Sequence, residues 1–263
     1  MTIPTYLPYF VATGTVVTAV AILYGLNQAL AGAGWPVRDR MQVVLASATV
    51  LISWLAAAIA LSAAGVYHVN SSAISTIQYG ILLPILIGAL MIWRSEATKR
   101  ILDAVPQSWI VGVQLYRALG VIFLILYASG RLPSLFAWPA GFGDIAIGLL
   151  APVVGIAYAR APREAAGLVK AWNVFGILDL VVAVTTGFLT APSWLQPIEI
   201  QPSSELMTVL PMVLIPVYLV PLSIVLHLAS LAKLSHDTQA QSHGTRHHAC
   251  GLSLERSELG PRS

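Results

Sequence analysis

Four ionisable side chains interrupt stretches that are otherwise apolar: Arg117, Asp144, Asp179 and His227. A charge held in hydrocarbon is costly, so such residues face a protein interior or a wet cavity and pair with one another. Arg117 and Asp179 each lie eight residues from the charged-side start of their apolar stretch. At 1.5 Å per residue both sit about 12 Å deep, which makes a bidentate guanidinium-carboxylate pair the natural arrangement if the two stretches are neighbours. Such a pair is either a tether between helices or a site at which a ligand or ion competes for one partner. Asp144 follows the Gly-, Pro- and aromatic-rich run from Phe136 to Gly143 and enters from the opposite side. It leaves two acids against one arginine. An unbalanced interior acid must be protonated, hydrated or matched by a cation, the combination that proton-coupled carriers use. The bland alternative puts Asp144 close enough to the interface to reach water or cap a helix start. The different depths of the two acids argue against their acting together.

Three further side chains carry polar atoms. Gln114 and Asn173 are expected to hydrogen-bond across helices. His227 reads as a donor to a neighbouring carbonyl or, more sharply, as a proton-handling group near Asp179. No metal or cofactor is expected. A lone interior histidine lacks companion ligands, and His243, His247, His248 and Cys250 in the polar C-terminal stretch follow no recognised metal spacing. No HExxH, GxSxG or Gly-rich phosphate loop is present, so an enzyme ranks below a carrier or a scaffold. A retinal Schiff base would need a lysine midway along the last apolar stretch, which carries only Lys233, at its edge.

The elements that must hold these residues are membrane helices. With 57% hydrophobic and 10% charged residues and a mean hydropathy of +0.79, a soluble fold of this length would expose more apolar surface than water tolerates. Seven stretches approach or exceed the roughly 20 residues that a bilayer core requires: Pro8 to Ala31, Val43 to Tyr67, Ile77 to Trp93, Trp109 to Ser129, Phe136 to Ala159, Ala171 to Thr190 and Met207 to Leu234. The predicted fold is therefore an all-α, polytopic bundle of seven transmembrane helices over residues 1–234, followed by a disordered cytoplasmic tail, residues 235–263, too polar to order itself. The first stretch is read as a span and not as a signal peptide, since no Lys or Arg precedes it.

Lysine and arginine fall almost wholly in alternate gaps: Arg38 and Arg40, then Arg94, Lys99 and Arg100, then Arg160, Arg163 and Lys170, then the C-terminal region. By the positive-inside rule this puts the N-terminus outside and the C-terminus in the cytoplasm. Indole rings favour the headgroup level, and Trp35, Trp93, Trp109, Trp172, Trp138 and Trp194 fall at span ends, with Trp54 the mid-span exception. Basic residues arranged this way argue against nucleic acid as a partner. The setting implied is a plasma membrane, of bacterial inner-membrane type, with the bilayer itself as the first partner.

Gly141, Gly148 and Gly155 recur every seven residues on the fifth stretch. They form a smooth seam that marks a central helix and also offers a homo-oligomer or membrane-partner contact. Pro211, Pro216 and Pro221 should bend the last stretch. Tyr116-Arg117-x-x-Gly120-Val121 and Trp172-Asn173-x-x-Gly176-Ile177 are alike, which would fit a parallel repeat of the fourth-fifth and sixth-seventh helix pairs. The leading functional expectation is a small-solute or proton-coupled carrier with a polar path through the fourth to seventh helices. The alternative is a non-catalytic accessory or scaffold subunit whose charges are interhelical ties.

Overall fold

Seven helices are long and apolar enough to cross a membrane: Leu7–Gly32, Val37–Ala63, Ile77–Arg94, Gln107–Ala128, Ser134–Arg160, Pro162–Thr190 and Ile215–Asp237. In chain order they are the first to seventh spans. A computed structural model describes residues 4–68, 76–192 and 200–237 of the chain. Trp194, His243, His247, His248, Cys250 and the tail from 238 onward lie outside the described residues; 235–237 still belong to the seventh span.

The fold is all-α, as predicted. The fifth span is central, packed along the sixth and against every part of the fourth, while the first lies on the second and fourth, and the second and third meet the start of the seventh. Bare glycine backbone allows this closeness. A Cβ at Gly141 would meet the Leu124 side chain at 2.7 Å, one at Gly148 would collide with the Ala118 amide, and one at Gly155 would lie 2.9 Å from the Ser108 carbonyl. The glycine seam is thus filled by the fourth span of the same chain, and the homo-oligomer contact expected from Gly141, Gly148 and Gly155 has no free surface there. Outward faces are apolar: Leu82, Leu86 and Leu90 of the third span and Phe142, Leu149 and Val153 of the fifth are each more than half exposed, a surface suited to lipid.

Consecutive spans alternate in direction, which gathers Arg38, Arg40, Arg94, Arg160 and Arg163 at one end of the bundle, here the basic end. Helix bounds depart from the hydropathy stretches most in the second span, Val37–Ala63 against the expected Val43 to Tyr67, and in the sixth and seventh. The sixth span starts at Pro162, nine residues before the apolar run, with a proline where a helix start tolerates one and Glu164 in its first turn. Hydropathy marks only the apolar part of this helix, which itself begins in the charged segment that holds Arg163, Glu164 and Lys170. The seventh span starts at Ile215, not Met207, and opens with a π-helical turn, Ile215–Leu219, that contains Pro216. Pro211 cannot donate a backbone hydrogen bond and restricts the residue before it. Ser204–Thr208 therefore forms a separate 3-10 turn. This turn and Met212 to Leu214 are buried and cap the bundle opposite the basic end, tied to the sixth span by the Ser204 hydroxyl donating to the Gly187 carbonyl at 2.7 Å.

The fourth span is not uniform. Its middle, Val113–Gly120, is a 3-10 helix between two α-helical ends. Side chains three apart eclipse in that geometry, and the residues it buries are Gln114, Arg117 and Gly120, a single row facing inward.

Candidate functional site

Arg117 is the centre of a buried polar network, its side chain only 2% exposed. Its Nε donates to Asp144 Oδ1 at 2.7 Å, and Nη2 reaches the same oxygen at 2.7 Å while also pairing with Asp179 Oδ2. Nη1 donates to the Gly176 carbonyl at 3.2 Å and lies 3.1 Å from His227 Nε2. The partners match the five N–H bonds of a guanidinium. Fourth, fifth, sixth and seventh spans are all joined through this one side chain.

The pairing of Arg117 with Asp179 agrees with their expected common depth. Asp144 corrects the expectation that the two acids act apart. It lies well inside the fifth span, away from the helix start, and shares the guanidinium with Asp179. Depth along each helix does not say which faces of the fifth and sixth spans meet, and that meeting brings both acids to one guanidinium.

His227 is fully buried, and its hydrogen bonds assign its tautomer. Nδ1 lies 2.9 Å from Asn173 Oδ1, an acceptor, because the Asn173 amide nitrogen donates to Val169 O and to Ser230 Oγ, each at 2.8 Å. Nε2 faces a guanidinium donor. His227 therefore carries its proton on Nδ1 and is neutral; a second proton would set N–H against N–H. With His227 neutral and both carboxyls ionised, one arginine and two aspartates would leave the cluster one negative charge in excess.

The chain of bonds continues toward the basic end. Ser230 Oγ also accepts from Gln107 Nε2 at 2.6 Å, and the Ser230 carbonyl accepts from the same nitrogen at 3.1 Å. A hydrogen-bonded line thus runs Asp144 and Asp179, Arg117, His227, Asn173, Ser230, Gln107. Ser230 and Gln107 escape sequence reasoning, although Ser223, His227 and Ser230 fall at intervals of four and three, one face of a helix. Ser223 completes that face, with its hydroxyl 2.5 Å from Tyr116 Oη. Asn173 bonds across helices as expected, but Gln114 does not. It is 0% exposed, and neither of its amide atoms has a hydrogen-bond partner among the described residues. Trp172 also departs from expectation, being buried against the His227 ring at 4.9 Å between centroids, with its Nε1 donating to Ile147 O at 3.2 Å.

Three glycines make room for the cluster. A Cβ at Gly143 would overlap Asp179 Oδ1, one at Gly120 would overlap Asp144, and one at Gly176 would overlap the His227 ring. The sequence likeness between the helix pairs has a counterpart here. Arg117 and Asn173 occupy matching places, each bonded to the following span, to Asp144 and His227 respectively, and the matching Gly120 and Gly176 each leave space for that same partner.

Asp144 lines two cavities. One, about 70 Å³, runs among the third to seventh spans to the Ser204–Thr208 cap, walled by Phe123, Phe136, Leu180, Val184 and Met207. The other, about 40 Å³, leads between Arg117, Tyr116 and Ser223 toward Phe10, Val11 and Gly14 of the first span. A larger apolar crevice of about 790 Å³ between the first, fourth and fifth spans touches none of the charged residues. No group of three or more His, Cys, Asp or Glu side chains able to hold a metal occurs among the described residues.

Comparison with known proteins yields one family. The profile of a domain of unknown function, DUF8737, matches residues 74–235, more than half of the chain and all of the site. No curated protein matches, and no solved structure does.

Proposed function

We propose that this chain, which belongs to the DUF8737 family, is a small proton-coupled carrier whose exchange site is Arg117 with Asp144 and Asp179. The reading rests on one observation: two carboxylates share a single buried guanidinium, with Asp144 also lining two cavities. The excess negative charge favours a proton or cation, and interior acids of this kind serve proton relays in membranes. The hydrogen-bonded line from His227 to Gln107 then serves as the polar half-path toward the basic end, and the cavities serve as the half-path toward the cap. By the positive-inside rule the basic end faces the cytoplasm of a bacterial plasma membrane.

The test is proton flux into vesicles reconstituted with purified protein and loaded with a pH-sensitive dye. Asp144→Asn and Asp179→Asn are expected to abolish protein-dependent flux while inserting normally. Flux undiminished in the double variant would sink the reading.

A second reading, a scaffold held by interhelical ties, is favoured by the full use of the Arg117 donors, as in a structural knot. It predicts stable association with another membrane protein. Recovery of the chain alone and monomeric after mild solubilisation from its native membrane would remove its support.

A further inference from the structure

Three observations converge on Asp144. The cavity between it and the Ser204–Thr208 cap is almost wholly apolar, its polar wall being Asp144 at one end and the Ser204 and Thr208 residues at the other. Within the cluster, only Oδ1 of Asp144 is engaged by Arg117; Oδ2 accepts no hydrogen bond among the described residues, and the side chain retains 16% exposure. With both carboxyls ionised, the cluster as a whole would carry one negative charge in excess. Arg117 does not line this cavity, so an occupant meets the carboxylate and not the guanidinium.

We propose that this cavity binds a small protonated amine with an apolar body, its ammonium on the Asp144 carboxylate and its hydrocarbon along Phe136, Leu180 and Val184. The proposal rests on the carrier reading above and names its substrate class. An anion is disfavoured by the excess negative charge. A bare metal cation would need several oxygen ligands at once, which apolar walls do not provide. A volume of about 70 Å³ would hold roughly five waters, or an alkyl chain of a few carbons. The single excess charge can be neutralised by a proton on the carboxyl group or by an ammonium beside the carboxylate, and one excludes the other. Mutual exclusion at one group is the requirement for exchanging an amine against a proton: the carboxyl gives up its proton to water as the ammonium, keeping all of its own, takes its place.

The test is calorimetric titration of the full-length protein in detergent with n-hexylammonium, n-hexanol and n-hexanoate. Saturable binding of hexylammonium is expected, at least tenfold tighter than the other two and weakening as pH is lowered from 8 to 5. Asp144→Asn is expected to lose that preference. Gly187→Leu supplies an independent check, because a Cβ at Gly187 meets only Phe136 at ordinary contact distances of 3.5–3.6 Å. Its side chain would occupy the cavity while Asp144 stays intact, and hexylammonium binding is expected to fall at least tenfold. Equal binding of hexanol or hexanoate, or unchanged affinity in Asp144→Asn, would overturn the proposal. Amine binding with no proton flux in vesicles would instead refute the carrier reading and leave the amine site standing. Flux without amine binding would do the reverse.

Discussion

At the scale of single residues, Arg117 holds the site together because a guanidinium donates in five directions within one plane. Removing it leaves two carboxylates facing each other in a buried place. Arg117→Ala is therefore expected to cost more than either Asp→Asn change, on the order of 3–5 kcal/mol, read as a drop in the thermal unfolding midpoint in detergent. The triple variant Arg117→Ala, Asp144→Asn, Asp179→Asn should recover much of that loss, because no charge is then left unpaired; absence of recovery would show that Arg117 acts through packing alone. Gln114 gives the opposite expectation. A buried amide without partners costs about 1–3 kcal/mol, so Gln114→Leu should leave the protein as stable or more stable in the same assay. Slowed proton flux in that stable variant would assign Gln114 to the polar path. That the fourth span carries an inward arginine with Asp179 at matching depth was legible in the sequence. The sharing of Asp144 was not, since it depends on where the fifth span packs.

At the scale of elements, the 3-10 segment and the glycines set the geometry. In a regular α-helix, Gln114, Arg117 and Gly120 would wind around the axis; at three residues per turn they stack. Nothing in the residue types of Val113–Gly120 announces that tightening. The glycines were visible as a seven-residue seam on the fifth span, but those that make room for the charges are Gly143, Gly120 and Gly176, whose meaning depends on what stands opposite. Gly143→Ala and Gly176→Ala each force a Cβ into Asp179 or His227 and should destabilise by about 1–3 kcal/mol, the usual cost of overpacking. Gly167, exposed in the sixth span where an added Cβ would have nothing within 4 Å, is the control: Gly167→Ala should stabilise by about 0.5–1 kcal/mol through helix propensity. Unfolding midpoints of the three variants check the pair of expectations, and equal effects would show that the close approaches do not govern stability.

At the scale of the whole molecule, alternating spans divide the bundle into a basic end and a capped end, with the charged cluster between the hydrogen-bonded line and the apolar cavity. If the basic end faces the cytoplasm, the single cysteine, Cys250, follows the seventh span on that side. A membrane-impermeant maleimide should then label it in inside-out vesicles and leave it unlabelled in intact cells; labelling in intact cells would invert the orientation.

The sequence by itself determined the class, the seven spans, the alternation of basic gaps and the identity of most polar site residues. Each follows from a local quantity: apolar length against bilayer thickness, charge per gap, and the cost of an ionisable group in hydrocarbon. Only the tertiary structure decided that Asp144 and Asp179 share Arg117, that His227 lies between Asn173 and Arg117, that Ser230 and Gln107 extend the network, that Gln114 has no partner among the described residues, and that Trp172 packs against a histidine. These depend on which helix faces meet, and apolar residues on all sides of a membrane helix leave that choice without a signature in hydropathy. The facing was settled by glycine contacts and by one arginine with five donors, whose partners lie 27 to 110 residues away along the chain.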